Sequence, residues 1–122
     1  MTNRELVATF FEEFFNKHDF SAIDMYMSPN YIQHDYNVPP GREGFREYFR
    51  GMFEMFPSFK VDIRHIIVEG DMLALHGYGV LEPGKAESLV VDVYRVEGGL
   101  LTEHWGTVQQ LPPEQFGNPQ LM

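Results

Sequence analysis

The stretch GREGFREYFRGMFEMFPSFKVDIRHIIVEGD, residues 41–71, changes its hydrophobic period at Pro57. Before this proline, large apolar residues recur every three or four positions over 42–56, which is the spacing of an amphipathic helix. After it, apolar and polar residues alternate over 59–64, as in a strand with one buried face. Because proline cannot continue a helix, the stretch predicts a helix that leads directly into a strand.

The same two periods divide the rest of the chain. Helical spacing also covers residues 3–17 and 21–28, whereas 31–41 is too irregular for more than a short extended piece. The turn sequences EGD, PGK and EGG separate three further strands, at 72–82, 86–97 and 100–110. Helices followed by an antiparallel meander predict an α+β fold with the helices on one face of the sheet.

The size of the chain predicts a single domain over residues 1–122, in which 111–122 is a loosely docked C-terminal tail. Aromatic residues make up 15% of the sequence, which is enough to line a pocket as well as to fill a core. Gly77 and Gly79 lie within one predicted strand and indicate a bend or a close approach of another chain segment.

Charge and composition argue against several classes of partner. The net charge is −9, whereas a nucleic-acid-binding protein needs a positive surface, and an anionic membrane would repel this chain. Cysteine is absent, which excludes disulfides and suits the cytoplasm. The N-terminal residues do not have the pattern of a signal peptide, and no stretch approaches the ~20 apolar residues of a membrane span. We expect neither a nucleic-acid nor a membrane partner.

Asp92 interrupts an otherwise apolar strand, VVDVYRV, residues 90–96. A carboxyl in such a setting is costly unless it is paired, so its presence needs a reason. One hypothesis is a catalytic acid, because a carboxyl in apolar surroundings can take or return a proton beside a carbonyl group. The other is a structural carboxyl, bonded to a Tyr or His across the sheet or paired with an Arg.

Four features together resemble the SnoaL-like polyketide cyclase group of the nuclear transport factor 2-like superfamily. The first is a helical start that leads to a Tyr-x-x-His, in ELVATFFEEFFNKHDFSAIDMYMSPNYIQHD. The second is the glycine-led helix that runs through Phe-Pro into the first hairpin, and the third is VDVYRVEGGLLTEHW. The fourth is the order of the elements, so that the resemblance covers about residues 4–110.

The resemblance implies a cone-shaped α+β barrel, in which a strongly curved antiparallel sheet and the helices enclose a deep apolar pocket. It also implies a homodimer built on the outer face of the sheet. The family's pocket aspartate corresponds to Asp92, its Tyr-x-x-His to Tyr31 and His34, and its Glu-His-Trp to residues 103–105. The family commonly has Asp after this Trp, whereas this chain has Gly106, which argues against a mechanism with two carboxylates.

The candidate catalytic residues are therefore Asp92, His34 and His104. Side chains alternate along a strand, so His104 and Trp105 point to opposite faces, and the sequence does not decide which of them lines the pocket. The candidate substrate-binding residues are Tyr31, Phe49, Met52, Phe53, Tyr94 and Trp105.

No cofactor or metal site is predicted. His65 and His76 lie on neighbouring strands, but they lack the further ligands and spacing of a metal centre. The sequence PPGREGF is not a phosphate-binding loop, since it lacks both the Lys-Ser/Thr pair and a preceding strand.

Three functions remain open on the sequence alone. The first is cofactor-free acid/base chemistry, such as an aldol cyclisation or an isomerisation, on a hydrophobic carbonyl compound. In that case Asp92 would move the proton, and His34 or His104 would stabilise the enolate. The second is a non-catalytic binding module for an apolar ligand, and the third is a dimerising accessory domain. An open cavity of ~300 Å³ or more that ends at Asp92 would favour the first two.

Overall fold

The helices come first and the sheet follows, as the change of period predicts. The computed structural model describes residues 1–122, in which helices and strands follow in this order: α1 (Asn3–Phe10, continued as a π-helix over Phe11–Asn16), α2 (Ser21–Tyr26), β1 (Met27–Gln33), α3 (Gly41–Met55), β2 (Lys60–Glu69), β3 (Met72–Glu82), β4 (Ala86–Glu97) and β5 (Leu100–Gln110). None of the helices is long and apolar enough to cross a membrane.

The first helix begins with a capping box and ends in a π-helix. The Glu5 backbone N–H donates to Thr2 Oγ1 at 3.1 Å, and the Thr2 N–H donates to the Glu5 carboxylate at 2.9 Å. The wider π-helical turn lets adjacent phenylalanines point inward, and the pairs at 10–11 and 14–15 are all buried. Their rings form an aromatic core with those of α3, so that both helices are fixed over the same face of the sheet.

The sheet has the order β1-β5-β4-β3-β2. Strands β2 to β5 form the predicted antiparallel meander, whereas β1 pairs with β5 in parallel. The sequence pattern predicts a helix over 21–28 and only a short extended piece beyond 31, whereas in the structure α2 ends at Tyr26 and residues 27–33 form β1. The sequence of β1, MSPNYIQ, contains Pro29 and Asn30, which are poor strand residues but are tolerated in an edge strand.

The strands bend around the helices, which confirms an α+β fold with helices packed on a curved sheet. Irregular register occurs within β2, near the end of β3 and between Arg95 and Val96 of β4, and such bulges increase the local twist of a strand. At Gly77, a Cβ atom would lie only 3.0 Å from the Asp62 carbonyl oxygen and 3.2 Å from Val90 Cγ2. The glycine therefore permits a close approach between neighbouring strands.

The C-terminal tail docks at defined points and contains two short 3-10 turns, Pro113–Gln115 and Pro119–Leu121. Its Leu111 N–H donates to the Glu87 carbonyl oxygen at 3.0 Å, and its Gly117 N–H donates to the Tyr78 hydroxyl at 2.8 Å. The Tyr78 hydroxyl in turn donates to the Glu87 carboxylate. The tail is thus held more firmly than the sequence predicts.

Candidate functional site

A cavity of about 420 Å³ lies between the helices and the inner face of the sheet. Its wall is mainly apolar, and its aromatic part comes from Phe11, Phe15, Phe45, Tyr48, Phe49, Phe59 and Tyr94. Exposed residues in the lining, such as Lys85 and Gln110, mark the opening to solvent. The volume exceeds the ~300 Å³ expected of a ligand pocket, which favours a ligand-binding or catalytic domain over one whose interior is filled.

Asp92 lies in the cavity wall and is paired with a histidine. Its side chain shares the inner face of β4 with those of Ser88, Val90 and Tyr94, all of which line the cavity. Asp92 Oδ1 lies 2.7 Å from His104 Nε2, and the two side chains are only 17% and 10% exposed. The structure thus joins features of both hypotheses, because the carboxyl is bonded across the sheet and also faces a cavity.

The histidine is held from its other side by Gln33. His104 Nδ1 lies 2.7 Å from Gln33 Oε1, and the Gln33 amide nitrogen donates to the Tyr31 hydroxyl at 2.9 Å. Gln33 is not among the residues that the sequence predicts for the site, because β1 lacks the sequence pattern of a strand. Its place inside the Tyr-x-x-His motif was the only available signal.

Gly106 makes room for the pair of Asp92 and His104. It lies directly opposite Asp92 in the β4–β5 register. A Cβ atom at this position would lie 2.8 Å from Asp92 Oδ1 and 2.9 Å from His104 Cε1. A larger residue at position 106, such as the aspartate that is common in SnoaL-like polyketide cyclases, would occupy the space in which the side chains of Asp92 and His104 meet.

Two buried tyrosines complete the surroundings of the pair. Burial raises the pKa of Tyr31 and of Tyr94 well above the ordinary value of a phenol, and the nearby Asp92 charge acts in the same direction. The Tyr94 ring packs against the His104 ring with the centroids 4.7 Å apart. Both hydroxyls therefore keep their protons at neutral pH, and the Tyr94 side chain lines the cavity.

The structure separates the predicted site residues into two groups. The cavity lining contains Asp92, His104, Phe49, Met52 and Tyr94. It lacks Tyr31, His34, Phe53 and Trp105, so the cavity gives no support to a contact between these four and a substrate.

His34 lies on the other side of the sheet from the cavity. Its Nε2 is 2.7 Å from Glu103 Oε2, and its ring stacks on Trp105 with the centroids 4.6 Å apart. The bond from His34, and then that from Arg95, lowers the pKa of Glu103. The alternation along β5 thus places His104 inside and Trp105 outside, which decides the choice that the sequence left open.

Tyr31 and Phe53 are buried in the protein and do not line the cavity. Tyr31 is buried, and its hydroxyl accepts a hydrogen bond from the Gln33 amide nitrogen. Phe53 is buried in the aromatic core, where it stacks on His18 with the centroids 3.8 Å apart.

Comparisons with known proteins agree with this architecture. The model of the SnoaL-like domain family matches residues 7–104, while none of the curated proteins shows significant sequence similarity to the chain. IdmH from Streptomyces antibioticus, a candidate polyketide cyclase, superposes with a TM-score of 0.72 at 22% identity, covering 88% of this chain and 92% of its own. AclR from Streptomyces galilaeus, a candidate hydroxylase, gives 0.74 at 20% identity, covering 92% and 82%.

A third structure shows the same fold. A candidate polyketide cyclase from Acidithiobacillus ferrooxidans gives a TM-score of 0.74 at 19% identity, covering 85% of each chain. At these identities the structural likeness establishes the fold, while the family model spans most of the sequence. The chain therefore belongs to the SnoaL-like domain family.

Proposed function

We propose that the protein is a cofactor-free enzyme that moves a proton on a hydrophobic carbonyl compound, as in an aldol cyclisation or an isomerisation. One observation carries the proposal, namely a carboxyl bonded to a histidine in the wall of an apolar cavity of about 420 Å³. Such a cavity holds an apolar substrate by burial, and the carboxyl supplies an acid or base beside it.

Asp92 is the group in this pair with a free atom. Its Oδ2 has no hydrogen-bond partner in the protein. Every buried side-chain oxygen and nitrogen does have a partner, so Oδ2 is not buried and is accessible from the cavity. Both ring nitrogens of His104 are already bonded, one to Asp92 and one to Gln33. We therefore assign proton transfer to Asp92 Oδ2 and give His104 a positioning role.

Tyr94 is better placed than either histidine to stabilise an enolate. Its hydroxyl makes no hydrogen bond within the protein, and its side chain lines the cavity. In the proposed step, Asp92 Oδ2 takes a proton from the carbon next to the carbonyl, and the electron pair moves onto the carbonyl oxygen. The Tyr94 hydroxyl donates to that oxygen. The enolate then attacks a second carbonyl or is protonated by Asp92 at another carbon.

The test uses 2-tetralone, an uncharged bicyclic ketone, whose α-hydrogens exchange with deuterium when it enolises. The wild type should accelerate this exchange in D₂O above the buffer rate, as measured by NMR. Asp92→Asn should lose the acceleration and keep its fold, because the new amide can donate to His104 Nε2. Asp62→Asn, an exposed aspartate on β2 outside the cavity, is the matched control and should exchange like the wild type.

Binding is measured separately with N-phenylnaphthylamine, an uncharged apolar dye. Both variants should bind this dye like the wild type, because shape and burial hold it. Dye binding without exchange of 2-tetralone or larger bicyclic ketones would favour a non-catalytic binding module for an apolar ligand. The same cavity supports that second function.

We also propose a homodimer of 14.2 kDa chains through the outer face of the sheet. The alternation along the strands places Ile67, Val91, Val93 and Trp105 on this face, and Ile67 and Val91 are 69% and 46% exposed. An apolar face of this kind favours a partner. Sedimentation at micromolar concentration should give twice the chain mass.

The lack of cysteine supports the further proposal of a cytoplasmic location.

A further inference from the structure

We propose that Gln33 fixes the number of protons held by Asp92 and His104, by keeping Nδ1 of His104 protonated so that Asp92 and Nε2 share one proton. Gln33 is a positioning residue in this scheme, because it acts through His104 and not on the substrate. The inference deepens the proposed acid/base function and rests on it for its catalytic meaning. The protonation state itself is a property of the free protein.

The orientation of the Gln33 amide is settled by a backbone group. The Asp35 N–H donates to Gln33 Oε1 at 3.1 Å. A backbone N–H can only donate, so the atom facing it is the amide oxygen and not the amide nitrogen. The nitrogen at the other end donates to the Tyr31 hydroxyl, and both ends of the amide are thereby engaged.

This orientation determines the tautomer of His104. The oxygen that faces Nδ1 at 2.7 Å has only lone pairs to offer, so Nδ1 must carry the hydrogen. A neutral imidazole has one N–H, and Nε2 is then an acceptor. The 2.7 Å contact between Nε2 and Asp92 Oδ1 consequently needs a proton, either on the carboxyl or on the ring.

The pair is electrically neutral in either arrangement. It is a neutral acid with a neutral imidazole, or a carboxylate with an imidazolium. In the second form Asp92 Oδ2 can accept the substrate proton, and the imidazolium then balances the negative charge of the enolate. The apolar cavity therefore never holds an unpaired charge during the proton transfer, which would be costly there.

Several titratable groups surround His104. They are Asp92 and Tyr94 on β4, Tyr31 on β1, Asp35 beyond it and Tyr48 on α3 across the cavity. Only Asp92 and Gln33 are bonded to the ring. The tautomer is therefore set by these two neighbours.

The experiment measures the ring nitrogens of His104 by ¹H–¹⁵N NMR on the folded, substrate-free protein between pH 6 and 9. In the wild type, Nδ1 should stay protonated throughout. Gln33→Leu removes the acceptor, and the ratio of Nδ1–H to Nε2–H should shift toward Nε2–H by about fivefold, the effect of one ordinary hydrogen bond. Gln33→Glu retains an acceptor oxygen and should restore Nδ1–H.

Tyr31→Phe is the matched control, since it removes the partner of the amide nitrogen and leaves the Asp35 N–H in place. It should keep the wild-type tautomer. The inference is overturned if the wild type carries an unprotonated Nδ1, or if folded Gln33→Leu keeps the wild-type ratio. The expected tautomer without any exchange of 2-tetralone would count against the proposed function alone. Exchange with the opposite tautomer would count against this inference alone.

Discussion

Gly106→Ala would place a methyl group between the side chains of Asp92 and His104. Ordinary contact begins near 3.4 Å, whereas the added Cβ would lie 2.8 Å from Asp92 Oδ1 and 3.0 Å from His104 Nε2. The imidazole has little freedom to withdraw, because Gln33 holds Nδ1 at 2.7 Å and Tyr94 packs on the ring. The carboxylate oxygen must therefore move by about 0.6 Å to reach ordinary contact, which lengthens and weakens its hydrogen bond to Nε2.

The expected cost follows from these contacts. Overpacking of a well-packed site costs ~1–3 kcal/mol, and the loss of a hydrogen bond between strongly polar groups is of similar size. Because turning the carboxyl relieves part of the overlap, we expect a loss of about 2 kcal/mol in the free energy of unfolding. In a domain of this size that is a fall of about 8 °C in Tm.

Thermal and urea unfolding measure this effect, with Gly51→Ala as the matched control. Gly51 lies in the exposed side of α3 with nothing within 4 Å of its added Cβ, so the same substitution should stabilise the protein by about 0.5–1 kcal/mol. Repeating Gly106→Ala in an Asp92→Ala background tests the cause, because the overlapping oxygen is gone while the contacts to the His104 ring remain, so the cost should fall but not vanish. An equal cost in both backgrounds would show that overlap with the Asp92 carboxylate is not the cause.

Three further substitutions test other parts of the structure. Tyr78→Phe removes the hydroxyl that accepts a hydrogen bond from the Gly117 backbone N–H at 2.8 Å. It should lower the free energy of unfolding by about 1 kcal/mol and speed proteolysis after residue 111. Unchanged proteolysis would contradict the docking of the tail. Hydrogen bonds from His34 and Arg95 lower the pKa of Glu103 in the folded protein. The Glu103 carboxylate therefore stabilises the fold fully above pH 4.5, and this contribution is lost as the pH falls through the lowered pKa. Glu103→Gln should thus flatten the acid limb of a Tm–pH curve, unlike Glu54→Gln, whose carboxylate has no partner. Phe49→Ala should lower the free energy of unfolding by about 3 kcal/mol. It should also strengthen the binding of dyes larger than N-phenylnaphthylamine, because Phe49 lines the cavity. Equal dye affinities of the variant and the wild type would show that Phe49 does not limit the size of the cavity.

The meander and the long third helix were predictable because their patterns are local. Alternation over β2 and helical spacing over α3 need no information from distant residues. Strand β1 lacked such a pattern, since its place in the sheet depends on β5 and its own sequence contains Pro29. An element with a weak local pattern and a distant partner is not visible in the sequence alone.

The candidate site shows the same division. Asp92 was identifiable because a carboxyl breaks an apolar strand, while His104 and Trp105 could not be ranked before the strand register was known. Gln33 was missed and His34 was overvalued for one reason, which is that the direction of both side chains depends on how β1 lies against β5. The motif located the segment but not the face of the sheet to which each residue points.

The parallel pairing of β1 with β5 also has a consequence for the order of folding. The bond between Gln33 and His104 spans 71 residues, whereas each hairpin of the meander joins neighbours in the chain. Closing the longer loop costs more entropy than closing a hairpin, so we expect β1 to join the sheet after the meander has formed. The two hydrogen bonds that join Gln33, His104 and Asp92 should thus be completed late in folding, after the hairpins that carry His104 and Asp92.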